Sequence, residues 1–212
     1  MPLRIAVPRG NLFAPTIDLL EKVGFDVAEL RANDRKLVFE VGEGREIITT
    51  RPSDVPVYVE YGASDVGIVG KDVLLEYVRN VYELMDLGYG ECRIVFAVPE
   101  GRDPESEELR RLGVMRVASK YPAITRRFFE ERGQQVEVID LRGSIELAPQ
   151  VDLAESIVDL TSTGVTLGEN NLVEKAEIAR SSARLVANRV SWKLKASTID
   201  QLVKRIKEAQ EE

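Results

Sequence analysis

The chain has 212 residues, which suffices for one large or two small domains with a substantial core. Its net charge of -7 and pI near 5.0 argue against broad binding to nucleic acid or anionic membranes, but permit a local basic pocket for a small anion. The absence of histidine excludes Ser-His and Cys-His nucleophile pairs, imidazole acid–base catalysis and the commonest transition-metal ligand. An enzyme of this composition would use carboxylates, arginines, hydroxyls, backbone amides and Mg2+ held by substrate phosphates.

A single cysteine, Cys92, excludes an internal disulfide and a cysteine-rich metal site, which favours a reducing cytoplasm. The first residues lead into a strand-like pattern without the long apolar segment of an export signal. No apolar stretch of membrane-spanning length follows. We therefore expect a cytoplasmic protein that binds neither membranes nor nucleic acid and has no metal site built from side chains.

The first elements predict a strand, a loop and a helix. Residues 3–7 form an apolar run, and residues 8–11 break it. A helix is expected from about Pro15 to Gly24, with proline in its first turn and glycine after its last. Arg9 lies in the loop after the strand, where open α/β sheets bind ligands. It is either a ligand-binding residue or an exposed surface arginine.

A hairpin is predicted next. Residues 36–41 and 45–49 flank Gly42-Glu43-Gly44, which indicates antiparallel strands joined by a three-residue turn. Arg51 follows directly, and residues 52–62 predict a short helix with an early proline.

Residues 65–70 predict a buried strand that opens at a glycine into a helix at residues 73–78. Gly67 and Gly70 resemble part of a dinucleotide-binding fingerprint. The third glycine is missing, so this similarity carries little weight.

A second α/β pattern begins near Cys92. Its predicted elements are a strand at 93–98, a helix at 105–112, a strand at 114–118, a helix at 122–132 and a strand at 136–139. We place a domain crossover near Cys92, so that one domain comprises residues 1–91 plus 184–212 and the other residues 92–183. The loop at 140–146 is expected to face a ligand, and its Glu146 either meets a sugar or is exposed.

A hydroxyl-rich loop follows a strand that is expected to end at Asp159. Gly164 lets the backbone approach an anion closely. The hydroxyls that would donate to phosphate oxygens belong to Thr161, Ser162, Thr163 and Thr166. The loop has no lysine, which argues against a Walker A loop and favours a single phosphate. Asp159 would accept hydrogen bonds from vicinal sugar hydroxyls, which indicates ribose 5-phosphate chemistry. The alternative is a Ser/Thr-rich turn that caps a helix without a ligand, and the spacing leaves both open.

The last part of the chain predicts two strands and a helix. The strands cover residues 174–180 and 183–190, and the second returns the chain to the first domain. Thr198 to Gln201 form a capping box. Apolar residues at helical spacing follow it, so the final helix is expected to pack against the first domain.

These segments resemble the short form of ATP phosphoribosyltransferase nearly from end to end. The residues that carry the resemblance are Gly143-Ser-Ile-Glu-Leu-Ala-Pro149, Ile157-Val-Asp-Leu-Thr-Ser-Thr-Gly-Val-Thr-Leu167, Asp65-Val-Gly-Ile-Val-Gly-Lys-Asp72 and Tyr121-Pro122. The resemblance implies an α/β fold with two lobes of the periplasmic-binding-protein type (type II). Mixed sheets flanked by helices and two crossovers are part of that fold, with 5-phosphoribosyl diphosphate (PRPP) and ATP binding between the lobes.

The implied reaction transfers the 5-phosphoribosyl group of PRPP to N1 of ATP and releases diphosphate, as the first step of histidine biosynthesis. It needs no general base, since adenine N1 is an unprotonated lone pair at neutral pH, and Mg2+ enters with the substrate. The catalytic residues implied are Arg31, Arg51 and Asp159, and the resemblance places Arg9, Arg31 and Arg51 near ATP or the leaving diphosphate. The PRPP-binding residues implied are Glu146, Asp159, Thr161, Ser162, Thr163, Gly164, Val165 and Thr166. The residues expected to bind ATP, on the side of the first domain, are Arg9, Gly10, Asp65 and Lys71. Where the family commonly has glycine, this chain has Asn171, which tolerates the same left-handed conformation.

The resemblance also implies partners. Because the sequence after Thr198 offers one amphipathic helix and no room for an effector domain, we expect a homo-oligomer, a dimer, that recruits a regulatory subunit resembling histidyl-tRNA synthetase. AMP is expected to compete with ATP. The rival interpretation is a non-catalytic two-lobed domain that binds a small anion or senses an effector. It predicts an export signal or an attached DNA-binding helix pair, and the sequence shows neither.

Overall fold

The computed structural model describes residues 3–33, 35–102 and 113–211. The chain forms two compact units: unit 1 comprises Met1–Gly90 and Ser182–Glu212, and unit 2 comprises Glu91–Ser181. The sequence predicted domains of 1–91 plus 184–212 and 92–183. The chain passes from unit 1 to unit 2 one residue earlier than predicted, and it returns to unit 1 two residues earlier than predicted. These two passages are the crossing points between the units. The predicted helix at 105–112 lies outside the described residues.

The strands, in chain order, are β1 Arg4–Pro8, β2 Val38–Glu40, β3 Glu46–Thr50, β4 Val66–Gly70, β5 Val81–Asp86, β6 Cys92–Pro99, β7 Met115–Ser119, β8 Val136–Asp140, β9 Ser156–Thr161, β10 Leu172–Ser181 and β11 Ala183–Asn188. The helices are α1 Phe13–Lys22, α2 Ala28–Ala32, α3 Val55–Glu60, α4 Lys71–Glu76, α5 Pro122–Glu130, α6 Val165–Glu169, α7 Arg189–Leu194 and α8 Ala196–Glu211. A 3-10 helix covers Ile145–Val151. None of the helices in these described stretches combines the length and apolarity that a membrane span requires.

Unit 1 is built on a six-stranded mixed sheet of order β2-β3-β1-β4-β11-β5. Strands β3, β1 and β4 run parallel, whereas β2, β11 and β5 are antiparallel to their neighbours. Both faces are covered, because Ile5 and Val7 pack into the cluster that holds α1 and α8, while Ala6 packs against α3.

Gly67 explains the fingerprint-like pattern in β4. A Cβ atom at this position would come within 2.7 Å of both Val55 and Val59 on α3. The glycine therefore lets a helix pack closely on the sheet, and it has no connection with a dinucleotide.

Unit 2 repeats the plan with a five-stranded sheet of order β10-β6-β9-β7-β8. Strands β9, β7 and β8 are parallel, and β6 and β10 are antiparallel to their neighbours. One face packs against the 3-10 helix and α6, with Ile157 at the centre of a buried apolar cluster. An aromatic cluster contains Phe96, Phe128 and Phe129, where the rings of Phe96 and Phe129 meet edge to face at 5.2 Å.

Several element boundaries differ from the predictions. Strand β9 continues to Thr161, so Asp159 lies within the strand and not at its end. Strand β11 ends at Asn188, because the Asn188 side chain accepts hydrogen bonds from Val190 N and Ser191 N and caps α7. The last helix begins at Ala196, so the capping box at Thr198 is wrong: that residue lies inside the helix.

Candidate functional site

The carboxyl edge of the sheet in unit 1 carries three cations. Pro8 at the end of β1 is in register with Thr50 at the end of β3, so Arg9 and Arg51 leave neighbouring parallel strands side by side. The backbone N–H of Arg9 donates to the Thr50 carbonyl at 2.8 Å, which fixes the two loop starts together. Strand β4, on the other side of β1, ends directly before Lys71. This is the edge where ligands bind in open α/β sheets.

These cations differ in what they contact. The Arg9 guanidinium lies 4.5 Å from the centre of the Phe13 ring and donates to the Lys36 carbonyl at 3.3 Å. Lys71 forms an ion pair with Glu83 at 2.6 Å. Arg51 is exposed, and its guanidinium makes no hydrogen bond or ion pair with any residue that the structure describes. Arg51 can therefore bind an anion without first breaking an ion pair or hydrogen bond to a described residue.

Gly10 lies in the same loop and has a φ angle of 100°, in the left-handed region that favours glycine. A Cβ atom built on Gly10 would meet nothing within 4 Å. The backbone here is therefore open to a close approach by a ligand, as its predicted role in binding ATP requires.

Arg31 was predicted to be catalytic, but the structure pairs it within unit 1. Its guanidinium contacts Asp18 and Glu21, both on α1, at 2.7 Å each. These hydrogen bonds raise the pKa of Arg31 above its ordinary value. In this arrangement Arg31 holds α2 against α1, and it would have to leave both carboxylates to reach a phosphate.

Asp65 precedes strand β4, whereas Arg9 and Arg51 follow their strands. Asp65 therefore lies at the opposite edge of the sheet from the two arginines. It is 6% exposed. Its carboxylate accepts from Arg4 N at 2.9 Å, from Ser191 Oγ at 2.7 Å and from Lys195 Nζ at 2.7 Å. Burial alone would raise the pKa of Asp65, but the donors on Lys195, Ser191 and Arg4 outweigh it and hold that pKa below its ordinary value. The structure therefore does not bring Asp65 together with the other residues expected to bind ATP.

The carboxyl edge of the sheet in unit 2 holds Asp159. Ser119 at the end of β7 is in register with Val158 of β9, so Asp159 stands one residue beyond the last position that pairs with β7. The Leu160 N–H donates to Asp159 Oδ1 at 2.8 Å. Burial raises the pKa of Asp159 to about 6, against the hydrogen bond from Leu160, and the nearby charge of Glu146 adds to the rise. Glu146 and Asp159, both predicted to meet the ribose, are thus brought together.

A buried hydroxyl network supports this strand end, and the sequence analysis missed it. Ser119 Oγ donates to the Val158 carbonyl at 2.8 Å and accepts from the Tyr121 N–H at 2.8 Å. Thr125 Oγ1 lies 3.0 Å from Ser119 Oγ. Ser119 and Thr125 are fully buried. The available signal was a serine directly after the strand predicted at 114–118 and directly before Lys-Tyr-Pro.

The hydroxyl-rich loop has one inward and three outward hydroxyls. Thr161 is 8% exposed, and its Oγ1 accepts from the Gly164 N–H at 2.9 Å, so its side chain shapes the turn. The side chains of Ser162, Thr163 and Thr166 are exposed. Gly164 has a φ angle of 79°, and a Cβ there would meet nothing within 4 Å. Val165 is 59% exposed, so what it offers to an anion is its backbone.

The far end of the loop is held in place. The Asn170 side chain donates to the Thr166 carbonyl at 2.8 Å, and Gln150 of the 3-10 helix donates to Asn170 Oδ1 at 2.9 Å. Asn171 has a φ angle of 53°, which confirms that it adopts the left-handed conformation expected where the family commonly has glycine. The loop is thereby tied to the helix that carries Glu146.

No group of three or more Cys, Asp or Glu side chains placed to hold a metal ion occurs in residues 3–33, 35–102 and 113–211. The oxygen atoms of Glu146 and Asp159 are the kind that Mg2+ prefers, yet two carboxylates fall short of a full coordination shell. They fit an ion that arrives with its own phosphate ligands.

Comparison with known proteins identifies relatives across the whole chain. The family model described as ATP phosphoribosyltransferase matches residues 51–208. The ATP phosphoribosyltransferase of Rubrobacter xylanophilus is 54% identical over 198 residues, which are 93% of this chain and 91% of that relative. A chain of the ATP phosphoribosyl transferase (HisG:HisZ) complex from Thermotoga maritima superimposes with a TM-score of 0.84 at 34% identity, covering 97% of both chains.

A more distant likeness concerns the fold alone. The periplasmic aliphatic sulphonate binding protein SsuA from Escherichia coli is 13% identical, with a TM-score of 0.61 that covers 98% of this chain and 72% of that one. The two α/β units and two crossing points are therefore those of a type II periplasmic-binding-protein fold, as expected from the sequence.

Proposed function

Because this chain belongs to the ATP phosphoribosyltransferase family, the enzymes of the first step of histidine biosynthesis, we propose that it transfers the phosphoribosyl group of PRPP to N1 of ATP with the residues described above. The observation that carries the residue assignment is the carboxyl edge of unit 2, where the half-buried Asp159 stands beside a loop with three exposed hydroxyls. A non-catalytic anion-binding or sensing domain is not favoured, since the likeness to binding proteins stops at the fold.

Unit 2 binds PRPP in this proposal. The hydroxyls of Ser162, Thr163 and Thr166 donate to the 5-phosphate, and the backbone at Gly164 and Val165 approaches it in the open space above the glycine. Thr161 contributes by fixing the turn, through its bond from the Gly164 N–H. The loop thus offers neutral donors to a single phosphate.

Asp159 and Glu146 accept hydrogen bonds from the vicinal hydroxyls of the ribose. A partly buried carboxylate is costly to ionise in the free protein, and hydroxyl donors satisfy it when the sugar binds. Ionised Asp159 next to the ribose also stabilises the positive charge that develops on the ring as the bond from C1 to diphosphate breaks. No proton has to be removed from adenine N1, which agrees with a chain that contains no histidine.

Unit 1 binds the triphosphate of ATP. Arg9, Arg51 and Lys71 follow three adjacent parallel strands, so their charges line one edge of the sheet. Arg51 is the first choice for a phosphate contact because its guanidinium has no competing partner in the described part of the chain. Gly10 lets the backbone come close. Mg2+ is proposed as an ion bound to the substrates, where it offsets the charge of the phosphates.

Three further parts of the proposal concern assembly and location. The relative from Thermotoga maritima was solved in a HisG:HisZ complex, which supports a hetero-oligomer of this chain with a regulatory subunit. In our proposal the chain takes part as a homodimer, and the regulatory subunit resembles histidyl-tRNA synthetase. AMP competes with ATP, since it presents the same adenine and ribose. A cytoplasmic location fits the single cysteine, Cys92.

The test is to incubate the purified chain with PRPP, MgATP or both, and to identify the nucleotide product. The proposal predicts a phosphoribosyl adduct at adenine N1, together with an equimolar amount of diphosphate, only when both substrates are present. Arg51→Ala should raise KM for ATP. Lys193→Ala should leave it unchanged, because this exposed lysine is on α7, which follows β11 at the opposite edge of the sheet. Binding of both substrates without an adduct, under conditions where an active relative turns over, would contradict the proposal.

A further inference from the structure

Lys120 is a cation at the carboxyl edge of unit 2 that the assignments above leave without a role. Strands β7 and β9 are parallel and Ser119 is in register with Val158, so the next residues, Lys120 and Asp159, extend from adjacent strands side by side. Lys120 is exposed, and its ammonium group makes no hydrogen bond or ion pair within the described ranges. The lysine is close enough to Asp159 for the two charges to attract, yet they form no direct ion pair.

Two arginines, one on β7 and one in the loop after β8, form ion pairs with carboxylates. Arg142, in the loop after β8, pairs with Asp140 at 3.1 Å. Arg116 of β7 pairs with Glu155 at 2.6 Å, near the opposite end of the strand. Residues 159–170 contain no lysine or arginine, so the hydroxyl-rich loop brings no full positive charge to its ligand. A ligand with several phosphates would therefore draw its cationic contact in unit 2 from a different element.

The stereochemistry of PRPP determines where a cation must lie to contact the diphosphate. The diphosphate at C1 has the α configuration, so it lies on the same face of the ribose ring as the 2- and 3-hydroxyls. A carboxylate that accepts bonds from those hydroxyls consequently faces the side of the ring from which the diphosphate projects. Lysine is a compact charge on a flexible four-carbon stem, so it suits a leaving group that changes position during the reaction.

We propose that Lys120 binds the 1-diphosphate of PRPP and remains with it as the leaving group, while Asp159 holds the adjacent hydroxyls. This inference rests on the proposed function, since it takes the ribose to lie against Asp159. As the bond from C1 to the diphosphate oxygen breaks, its electron pair stays on the diphosphate, and the ammonium group compensates part of the added charge. Adenine N1 supplies the electron pair of the new bond to C1, so no other reactant is needed.

The experiment compares two ligands that differ only in the diphosphate. PRPP and ribose 5-phosphate are titrated, at constant Mg2+, into the full-length wild type, Lys120→Met and Lys120→Arg. Lys175→Met is the matched control, since Lys175 is an exposed lysine on β10 in the same unit. Lys120→Met should weaken PRPP binding about tenfold or more and change ribose 5-phosphate binding less than about twofold. Lys120→Arg should restore most of the PRPP affinity, and Lys175→Met should bind both ligands as the wild type does.

Unchanged PRPP affinity in Lys120→Met would overturn the inference. An equal loss of affinity for PRPP and ribose 5-phosphate would also overturn it, because Lys120 would then affect Asp159 or the fold and would not contact the diphosphate. Either result leaves the proposed function standing, provided that the wild type binds PRPP and forms the adduct. Failure of the wild type to bind PRPP would instead overturn the proposed function together with this inference.

Discussion

Asp159 combines a structural cost with a functional need. The carboxylate is half-buried in unit 2, accepts one hydrogen bond from Leu160 N, and has its pKa raised to about 6 by burial. At neutral pH it is therefore ionised in surroundings that disfavour the charge. Such a carboxylate is expected where a ligand supplies the missing hydrogen bonds, because these bonds then contribute to the free energy of binding.

Replacement of Asp159 by asparagine should stabilise the free protein at high pH. The pKa of Asp159 rises from 3.8 in the unfolded chain to about 6 in the folded one, so the folded state holds the proton more tightly. The penalty for ionisation is absent below about pH 4 and fully present above about pH 6. Asp159→Asn should therefore raise the free energy of unfolding at pH 8, by at most about 3 kcal/mol, and change it little at pH 4. Urea denaturation at both values of pH measures this.

Asp152→Asn is the matched control, since the Asp152 side chain is 82% exposed. We expect its free energy of unfolding to follow that of the wild type at both pH values. A loss of stability in Asp159→Asn at pH 8 would show that the Asp159 carboxylate is satisfied within the free protein.

The exposed hydroxyls of the loop should account for the affinity for the 5-phosphate. A hydrogen bond to a charged group contributes roughly 1.5–3 kcal/mol, so Thr163→Ala and Thr166→Ala should each weaken PRPP binding about tenfold or more. Gly164→Val should weaken it further, because its φ angle of 79° strains a β-branched residue and the new side chain enters the space left for the phosphate. Titration calorimetry gives the affinities, with Thr163→Ser as the control that keeps the hydroxyl. Wild-type affinity in all three weakened variants would remove the loop from the site.

At the scale of elements, the regular patterns predicted the structure well. The hairpin of β2 and β3, the buried strand β4 and the parallel strands of unit 2 follow from apolar runs and turn glycines. The short helix α2 and the strand β5 were not predicted. Strand β5 lies at the edge of its sheet, is partly exposed, and shows no clear alternation of apolar and polar residues. The end of β9 was misplaced since Thr161, assigned to the loop for its hydroxyl, is also a β-branched residue that fits a strand.

The Ser119 network is expected to hold the end of β9 in position. Ser119→Ala removes the donor to the Val158 carbonyl and the acceptor of the Tyr121 N–H, which leaves two buried polar groups without this partner. We expect a loss of roughly 1–3 kcal/mol in the free energy of unfolding and a higher KM for PRPP. Ser197→Ala, at an exposed serine of α8 in unit 1, should lower neither the stability nor the affinity for PRPP. Wild-type stability in Ser119→Ala would mean that the network contributes little.

At the scale of the whole molecule, sequence reasoning located strand ends better than side-chain partners. Arg9, Arg51 and Lys71 were identified as cations after strands, and parallel pairing places them along one edge. Asp65 was grouped with them from its motif, but its partners Ser191 and Lys195 lie 126 and 130 residues further along the chain. No local pattern indicates such a pairing. The same holds for Arg31, whose carboxylate partners belong to a different helix.

Histidine is the end product of the pathway whose first step this family catalyses, and we expect it to inhibit the enzyme only through the regulatory subunit. The support is the HisG:HisZ complex of the relative from Thermotoga maritima. Titration of histidine into the chain alone should leave diphosphate release unchanged, whereas the same titration with the regulatory subunit present should inhibit it. AMP, as a competitor of ATP, should inhibit in both cases. Strong inhibition of the isolated chain by histidine, at a site not shared with ATP, would contradict this division of roles.

The most direct test is the turnover of Asp159→Asn at pH 8, measured with PRPP saturating and MgATP varied up to saturation. The variant keeps the shape of the side chain and removes the negative charge beside the ribose, so binding of ATP in unit 1 should be unaffected. The account predicts that kcat for diphosphate release falls on the order of a hundredfold or more, while KM for ATP stays within about twofold of the wild-type value. A kcat equal to that of the wild type would contradict the assignment of Asp159 to the reacting ribose.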